Sequence, residues 1–235
     1  MTARTVDPVT DELDLMRHML PLAGARVADI GCGAAELSRR LVEGGLVASV
    51  AALEVDRAQH AKNLAAPPLA GLAFFLAGAD AIPFPDASFD IVLMLKSLHH
   101  VPVDHMDRAL SEIARVLVPG GMLYVSEPVF AGPFNEVMRL FHDEQAVRAA
   151  AQAALGRAGA GGILQAVEER DFDAPIAFRD FGDFHDRMMG VTHTDLAVEG
   201  ALLEKVRHRF EAHLYRGGAR FLRPMRVNLM RRPPR

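Results

Sequence analysis

One cysteine in 235 residues leaves no partner for an intrachain disulfide, which excludes a covalent framework as the basis of the fold. No apolar run approaches the ~18 residues of a membrane span. The opening MTARTVDPVTDEL lacks the basic and apolar regions of a signal peptide. Positive charge is not in excess either: a net charge of −4 does not suit a general nucleic-acid binder. These absences make a cytoplasmic protein with no membrane span the expectation. What is present fits that picture. Half the residues are hydrophobic and 24% are charged, as in an ordinary globular chain. The length suits one domain over residues 1–235 with a single good core.

Along the chain, apolar runs alternate with amphipathic helical patterns. A helix is expected over 8–20, a strand over 26–30, a helix over 34–43 and a second apolar run over 46–55. A helix over 57–65 follows, then strands at 72–76 and 89–95. A helix over 104–117 leads through Pro119-Gly120-Gly121 into a fifth strand, 122–126. This repeat predicts an α/β fold: a Rossmann-like open, mostly parallel sheet with helices on both faces. Ligands in such sheets sit beyond the carboxyl ends of the strands. Asp29, Glu54, Asp80, Lys96 and Glu127 all fall at or near those ends. Past residue 127 the alternation stops. Residues 135–155 read as a helix divided near His142-Asp143, and 156–162 (GRAGAGG) as the most flexible segment. Residues 130–170 are therefore expected to form a helical insertion or lid over the sheet. Residues 171–235 should complete the sheet, with a strand at 176–181, a helix at 195–214 and a last strand at 219–230 interrupted at Pro224.

The densest information lies in residues 27–41, VADIGCGAAELSRRL. A strand carrying Asp29 meets a turn of small residues, Gly31 to Ala35, and an amphipathic helix follows. Small residues let a ligand approach the main chain, and the helix start offers free N–H groups. Glu54, 23 residues beyond Gly31, ends the second apolar run. A carboxylate there can accept hydrogen bonds from both hydroxyls of a ribose. A dinucleotide does not fit, because the position that needs a third small residue holds Glu36, which would crowd and repel a pyrophosphate. The turn suits a ligand with a cationic or zwitterionic part, to which Asp29 adds negative charge.

Four segments in this order carry a resemblance. They are the Asp-Ile-Gly-Cys-Gly turn, the acid ending the second apolar run, IPFPDASFDIV running into Ser97-Leu98-His99-His100, and VLVPGGMLYVSE. Over residues 25–130 the chain resembles the class I S-adenosylmethionine (SAM)-dependent methyltransferases. It is most similar to the subgroup that includes the ubiquinone/menaquinone biosynthesis enzymes. The resemblance implies a SAM-binding core lined by Asp29, Gly31, Cys32, Gly33, Glu54, Val55, Asp80, Ala81 and Lys96. Gly31 and Gly33 would pack against the methionine part, Asp29 would organise its amino group, and Glu54 would hold the ribose. Asp80 and the backbone N–H of Ala81 would meet the adenine edge, unless the register is fixed on Pro83-Phe84, in which case Gly78 takes that slot. Lys96 would line the pocket near the transferring methyl, point away, pair with Glu127 or bind an acidic substrate. Ala35 replaces the family's third glycine, a mild change.

The implied activity is methyl transfer from SAM to an O, N or C atom of a small-molecule acceptor, releasing S-adenosylhomocysteine. His100, Glu127 and His142 are the candidate proton acceptors. Phe130, Phe134, Phe141 and the methionines around Met188 would line an acceptor pocket or form core. His185-Asp186 is a further candidate base. Cys32 reads as a small residue rather than a redox thiol. His99, His100 and His105 lack the acid cluster that would complete a metal site, so no metal is expected. Seven arginines and no acid in residues 216–235 could contact RNA, but read better as the solvent face of a terminal strand and tail. The rival readings are a SAM-binding sensor or partner subunit without transfer activity, and an RNA or protein methyltransferase.

Overall fold

Buried strands need apolar side chains on both faces, and the first such run, RVADI, becomes strand β2. The computed structural model describes residues 7–8, 11–189 and 198–234. In chain order the elements are β1 (Asp7–Pro8), α1 (Glu12–Met19), β2 (Arg26–Ile30), α2 (Glu36–Glu43), β3 (Ser49–Glu54), α3 (Arg57–Ala65), β4 (Leu72–Leu76) and β5 (Phe89–Leu95). Then come α4 (Met106–Val116), β6 (Leu117–Pro128), α5 (Gly132–Met138), α6 (Gln145–Ala160), β7 (Gln165–Phe178), α7 (Phe181–Met188), α8 (Gly200–Glu211), β8 (Leu214–Tyr215) and β9 (Gly218–Arg231). Two short 3-10 turns, Leu98–His100 and Val103–His105, link β5 to α4.

The chain falls into two compact units. The larger comprises residues 11–127, 147–170 and 226–235. Its strands run in the order β7-β9-β6-β5-β2-β3-β4. The β2–β3, β2–β5, β3–β4 and β5–β6 pairs are parallel. This is the open, mostly parallel α/β sheet expected from the alternation. Its core joins Ala28, Ile30, Leu53, Val92 and Met94 of the strands to Leu110 and Ile113 of α4 and to Ala151, Ala154, Leu155 and Ala158 of α6. Helix α1 is capped by Asp11, whose carboxylate accepts from Leu13 N–H at 3.0 Å and from Arg40 of α2 at 3.1 Å. Tyr124 of β6, fully buried, donates to Glu12 of the same helix at 3.4 Å.

The smaller unit has its own core, built largely of phenylalanine. Phe134, Phe141, Phe178, Phe181, Phe184, Phe210 and Phe221 pack together, with Met188 against them. Phe134 and Phe141 are therefore core, and the acceptor-pocket alternative is not what their packing shows. Within this unit β1 pairs in parallel with β7, and β8 pairs antiparallel with β9.

Several boundaries differ from the sequence reading. The GRAGA segment is not loose: α6 continues through Ala160, because Ala158 is drawn into the core. The chain does not turn away at Pro119-Gly120-Gly121. Strand β6 runs through it, with Gly120 at φ +82 and a register shift against β5 between Phe89 and Ile91. Strand β7 begins at Gln165 rather than near 176, and Phe181 opens a helix because Asp180 caps it, accepting from Asp183 N–H at 2.9 Å. Pro224 does not interrupt β9. The expected helix over 195–214 is α8, Gly200–Glu211; residues 195–197 lie outside the described residues.

Candidate functional site

The chain enters at β2, builds β3 and β4 on one side of it, then crosses to place β5 on the other. That reversal opens a crevice at the carboxyl ends of β2 and β5. Asp29 to Gly33 leave β2 there, and Lys96 to His99 leave β5.

The turn after β2 takes a left-handed backbone three times: Gly31 (φ +72), Gly33 (φ +53) and Ala35 (φ +56). The alanine is not a mild replacement for glycine, because its Cβ pays a steric penalty in that region. Gly31 N–H and Cys32 N–H both donate to the Leu53 carbonyl, at 2.9 and 3.0 Å, which ties the turn to β3. A Cβ on Gly31 would lie 2.6 Å from Ser97 Cβ, so no side chain fits there. A Cβ on Gly33 would meet nothing within 4 Å: the cradle opens on that side.

The turn already holds a carboxylate of its own. Gly33 N–H donates to Glu54 Oε2 at 2.8 Å, and Asp56 N–H donates to Oε1 at 2.9 Å. Nests of left-handed residues commonly bind phosphate. Here that role is filled by Glu54, which gives a second reason, beside Glu36, against a pyrophosphate. Each Glu54 oxygen keeps a further lone pair, enough to accept two hydroxyls. Val55, next in line, is 65% exposed and offers a bare apolar surface.

Asp29 is buried, and Ser38 Oγ of α2 donates to its Oδ2 at 2.5 Å. Burial pushes the Asp29 carboxyl up to about 6; the Ser38 hydrogen bond and the Lys96 charge pull it back only partly, and the neighbouring Glu54 charge adds to the rise. Burial and the same two carboxylates push the Cys32 thiol far up, which removes any thiolate chemistry. Lys96 itself sits at φ +55, with its N–H donating to the Ser126 carbonyl at 2.7 Å. Among the described residues it makes no ion pair with Glu127.

Asp80 lies in the loop after β4, with Oδ2 2.9 Å from His105 Nδ1. Its Oδ1 lies 3.0 Å from the point where a Cβ on Gly78 would stand, and Val55 Cγ1 lies 3.2 Å from that point. Asp80 and Gly78 thus occupy one small area beside Val55. Ala81 is exposed, and its N–H reaches the Gly78 carbonyl at a long 3.4 Å.

At the ends of β5 and β6, Glu127 is buried and both its oxygens are engaged. Oε1 accepts from Leu98 N–H at 2.8 Å, and Oε2 contacts His99 Nδ1. The partner of Glu127 is thus buried His99; His100, the sequence candidate, is exposed. His142 belongs to the smaller unit, where its Nε2 lies 2.7 Å from Glu144 Oε1. His185 is part-exposed on α7, with Nδ1 3.4 Å from Asp186.

Residues 28–125 match the family described as "Methyltransferase domain". Over 131 residues the chain is 39% identical to the 27-O-demethylrifamycin SV methyltransferase of Amycolatopsis mediterranei, covering 52% of this chain and 46% of that one. Over 163 residues it is 32% identical to the ubiquinone/menaquinone biosynthesis C-methyltransferase of Hahella chejuensis, covering 60% and 64%. The chain therefore spans only about half to under two thirds of these relatives. The solved SAM-dependent methyltransferase of Methanosarcina mazei shares the fold, with a TM-score of 0.59 at 17% identity, over 94% of this chain and 98% of that one. Residues 28–125 are thus similar to a methyltransferase domain, in a fold shared with solved SAM-dependent methyltransferases.

The sequence alone assigns no bracing or pairing role to three residues of this region. Asn63 of α3 is buried and donates to the Gly33 carbonyl at 2.8 Å, while Gln59 donates to Asn63 Oδ1 at 2.9 Å. A polar residue on the inner stripe of α3 was its only signal. Ser97 braces the turn, with Oγ donating to the Ile30 carbonyl at 2.8 Å. Nothing in the sequence marks His99 over the adjacent His100 as the partner of Glu127.

Proposed function

We propose that this protein moves a methyl group from SAM to a small-molecule acceptor, at oxygen, nitrogen or carbon, releasing S-adenosylhomocysteine. One observation carries the reading. The glycine turn gives its Gly33 N–H to Glu54 and its Gly31 and Cys32 N–H groups to the Leu53 carbonyl, and leaves an open cradle at Gly33, bordered by the carboxylates of Asp29 and Glu54. Such a donor set suits a cationic amino acid and a ribose and repels phosphate. In this reading Asp29 receives the amino group, and Gly31, Cys32 and Gly33 lie along the methionine part. Glu54 accepts from the ribose hydroxyls, and Val55, Asp80 and Ala81 border the base. When bound, SAM supplies an electrophilic methyl on a sulfonium.

The chain's own task is then to hold an acceptor atom in line, which needs positioning above all. An oxygen or carbon acceptor must also lose a proton. Glu127 fixes the His99 ring at the carboxyl ends of β5 and β6, and we assign proton handling to this pair. His142 and the exposed His100 are secondary candidates. The C-terminal arginines support an RNA acceptor less well than their number suggests. Arg226 lies 3.5 Å from Glu169, and Arg232 donates to the Arg115 carbonyl at 2.9 Å and to that of Leu117.

The test is isothermal titration of the folded protein with SAM, followed by incubation with methyl-labelled SAM and a metabolite extract. Saturable binding and label in an extracted small molecule are the expected results. A folded protein without SAM affinity would sink the proposal.

A further inference from the structure

Helix α4 templates the loop that carries Asp80. Glu112 accepts from Ile82 N–H at 3.2 Å. Arg115 donates to the carbonyls of Ile82 and Phe84, at 3.0 and 2.8 Å. His105, at the start of the same helix, meets Asp80 itself, with Nδ1 2.9 Å from Oδ2. The far side of the ring faces solvent, where Nε2 is 4.0 Å from the exposed Asp104. Asp80 is thus divided between two jobs. One oxygen is held by His105. The other lies over Gly78 beside Val55, the exposed apolar residue that follows the ribose-binding candidate Glu54.

We propose that His105 is a positioning residue that sets the purine preference of the cofactor site. By fixing Oδ2 of Asp80 it presents Oδ1 as an acceptor for an exocyclic amino group on a purine resting against Val55. This rests on the SAM reading above. An ionised carboxylate accepts hydrogen bonds and donates none. An adenine 6-amino group satisfies it, whereas the 6-oxo group of hypoxanthine sets oxygen against oxygen. A site built around such a hydrogen bond rejects the analogue that cannot make it far more strongly than an apolar pocket would. Without the His105 ring, the carboxylate can turn toward solvent and the discrimination falls.

The experiment is calorimetric titration of the full chain with S-adenosylhomocysteine and with its deaminated analogue, S-inosylhomocysteine. The wild type is expected to prefer the adenosyl compound by about 100-fold or more. His105→Ala should narrow the ratio to about tenfold or less, chiefly by weakening adenosyl binding. His105→Asn, which keeps an N–H donor near Asp80, should restore most of it. Asp80→Asn, whose amide can rotate to donate, should collapse the ratio as His105→Ala does. If the wild type binds neither compound, the SAM reading itself fails. If it binds both equally, or if His105→Ala weakens both without changing their ratio, the role given to His105 is overturned. Should His105→Ala not fold, the ratios in His105→Asn and Asp80→Asn decide: a collapsed ratio in Asp80→Asn with an intact one in His105→Asn supports the proposal, and an intact ratio in Asp80→Asn overturns it.

Discussion

Ser97 stands so close to Gly31 that a Cβ added to the glycine would lie 2.6 Å from the serine Cβ. The contact joins the two strand ends that frame the crevice, β2 and β5. Ser97 also donates to the Ile30 carbonyl, and the next residue, Leu98, donates its N–H to Glu127. The glycine turn, the exit of β5 and the end of β6 are therefore held as one piece. Preorganisation of this kind suits a site whose main work is alignment.

Gly31→Ala should consequently be among the most damaging single-methyl changes in the domain. It meets the Ser97 side chain and also forces a left-handed φ of +72 on an L-residue. The backbone term alone costs about 1–2 kcal/mol. A total above ~2 kcal/mol lowers the melting temperature by about 4–8 °C in a chain of this size. Adding Ser97→Gly removes the clash but not the φ penalty, so the double variant should recover only part of the loss. Thermal unfolding of the three proteins checks this, and full recovery would show that φ is not limiting.

The Glu127–His99 contact predicts a split between fold and turnover. Glu127→Ala leaves Leu98 N–H and the His99 ring without their buried partner, and losses of about 3–5 kcal/mol are usual when one member of a buried pair is removed. Glu127→Gln keeps an oxygen for Leu98 N–H, so its stability should lie much nearer wild type. With an acceptor that must lose a proton, the same variant should show a lower kcat with little change in KM for SAM. Equal kcat in Glu127→Gln and wild type would remove the pair from proton handling.

Asn63→Ala tests the brace under the turn. The asparagine amide holds the Gly33 carbonyl from α3, and its own oxygen takes the Gln59 amide. Deleting it leaves a part-buried carbonyl with one partner fewer, at a cost of about 1 kcal/mol. Because Gly33 borders the open side of the cradle, SAM affinity should fall along with the unfolding free energy. Calorimetry and urea denaturation measure the two; an unchanged Kd would confine Asn63 to structure.

How legible this arrangement was depends on the kind of signal. The bounds of β2 and β5 follow directly from apolar runs, since a buried parallel strand must be apolar on both faces, while the edge strand β4 is a short apolar run preceded by Gly71 and α3 starts at its cap Asp56. Strand β7 escaped because residues 165–171 (QAVEERD) are mostly exposed, so no apolar periodicity marks them. The carboxylates Asp29 and Glu54 were readable because they interrupt or end apolar runs. The choice between His99 and His100 was not, because it is made by the single 3-10 turn that swings one ring toward Glu127 and leaves the other outside. Nor could the sequence show that Glu54 would fill the anion nest of the turn, a contact between residues 21 apart that exists only once β2 and β3 are paired.

Asp29 gives the site a pH dependence whose direction follows from its burial. The folded chain keeps the proton up to about pH 6, whereas the ordinary carboxylate value is 3.8. Between these values the native state binds more proton than the unfolded chain, so the Asp29 contribution to stability falls as pH rises through the window and stays lowered above it. At pH 7.5 the ionised, buried carboxylate therefore destabilises the protein without ligand, by on the order of 3 kcal/mol. Asp29→Asn, which removes the charge, should be more stable than wild type at pH 7.5, and the gap should shrink as pH falls below about 6 and largely close near 3.8. The same change should weaken SAM binding at neutral pH, because the proposed partner of the amino group is gone. For the wild type, a cationic ligand favours the ionised form, so binding below about pH 6 should release a proton and weaken with further acid. Urea denaturation at pH 7.5, 5 and near 3.8, and calorimetry in buffers of different ionisation enthalpy, measure both effects. An Asn variant that is less stable at pH 7.5 would mean that the Ser38 hydrogen bond outweighs the cost of burying the charge.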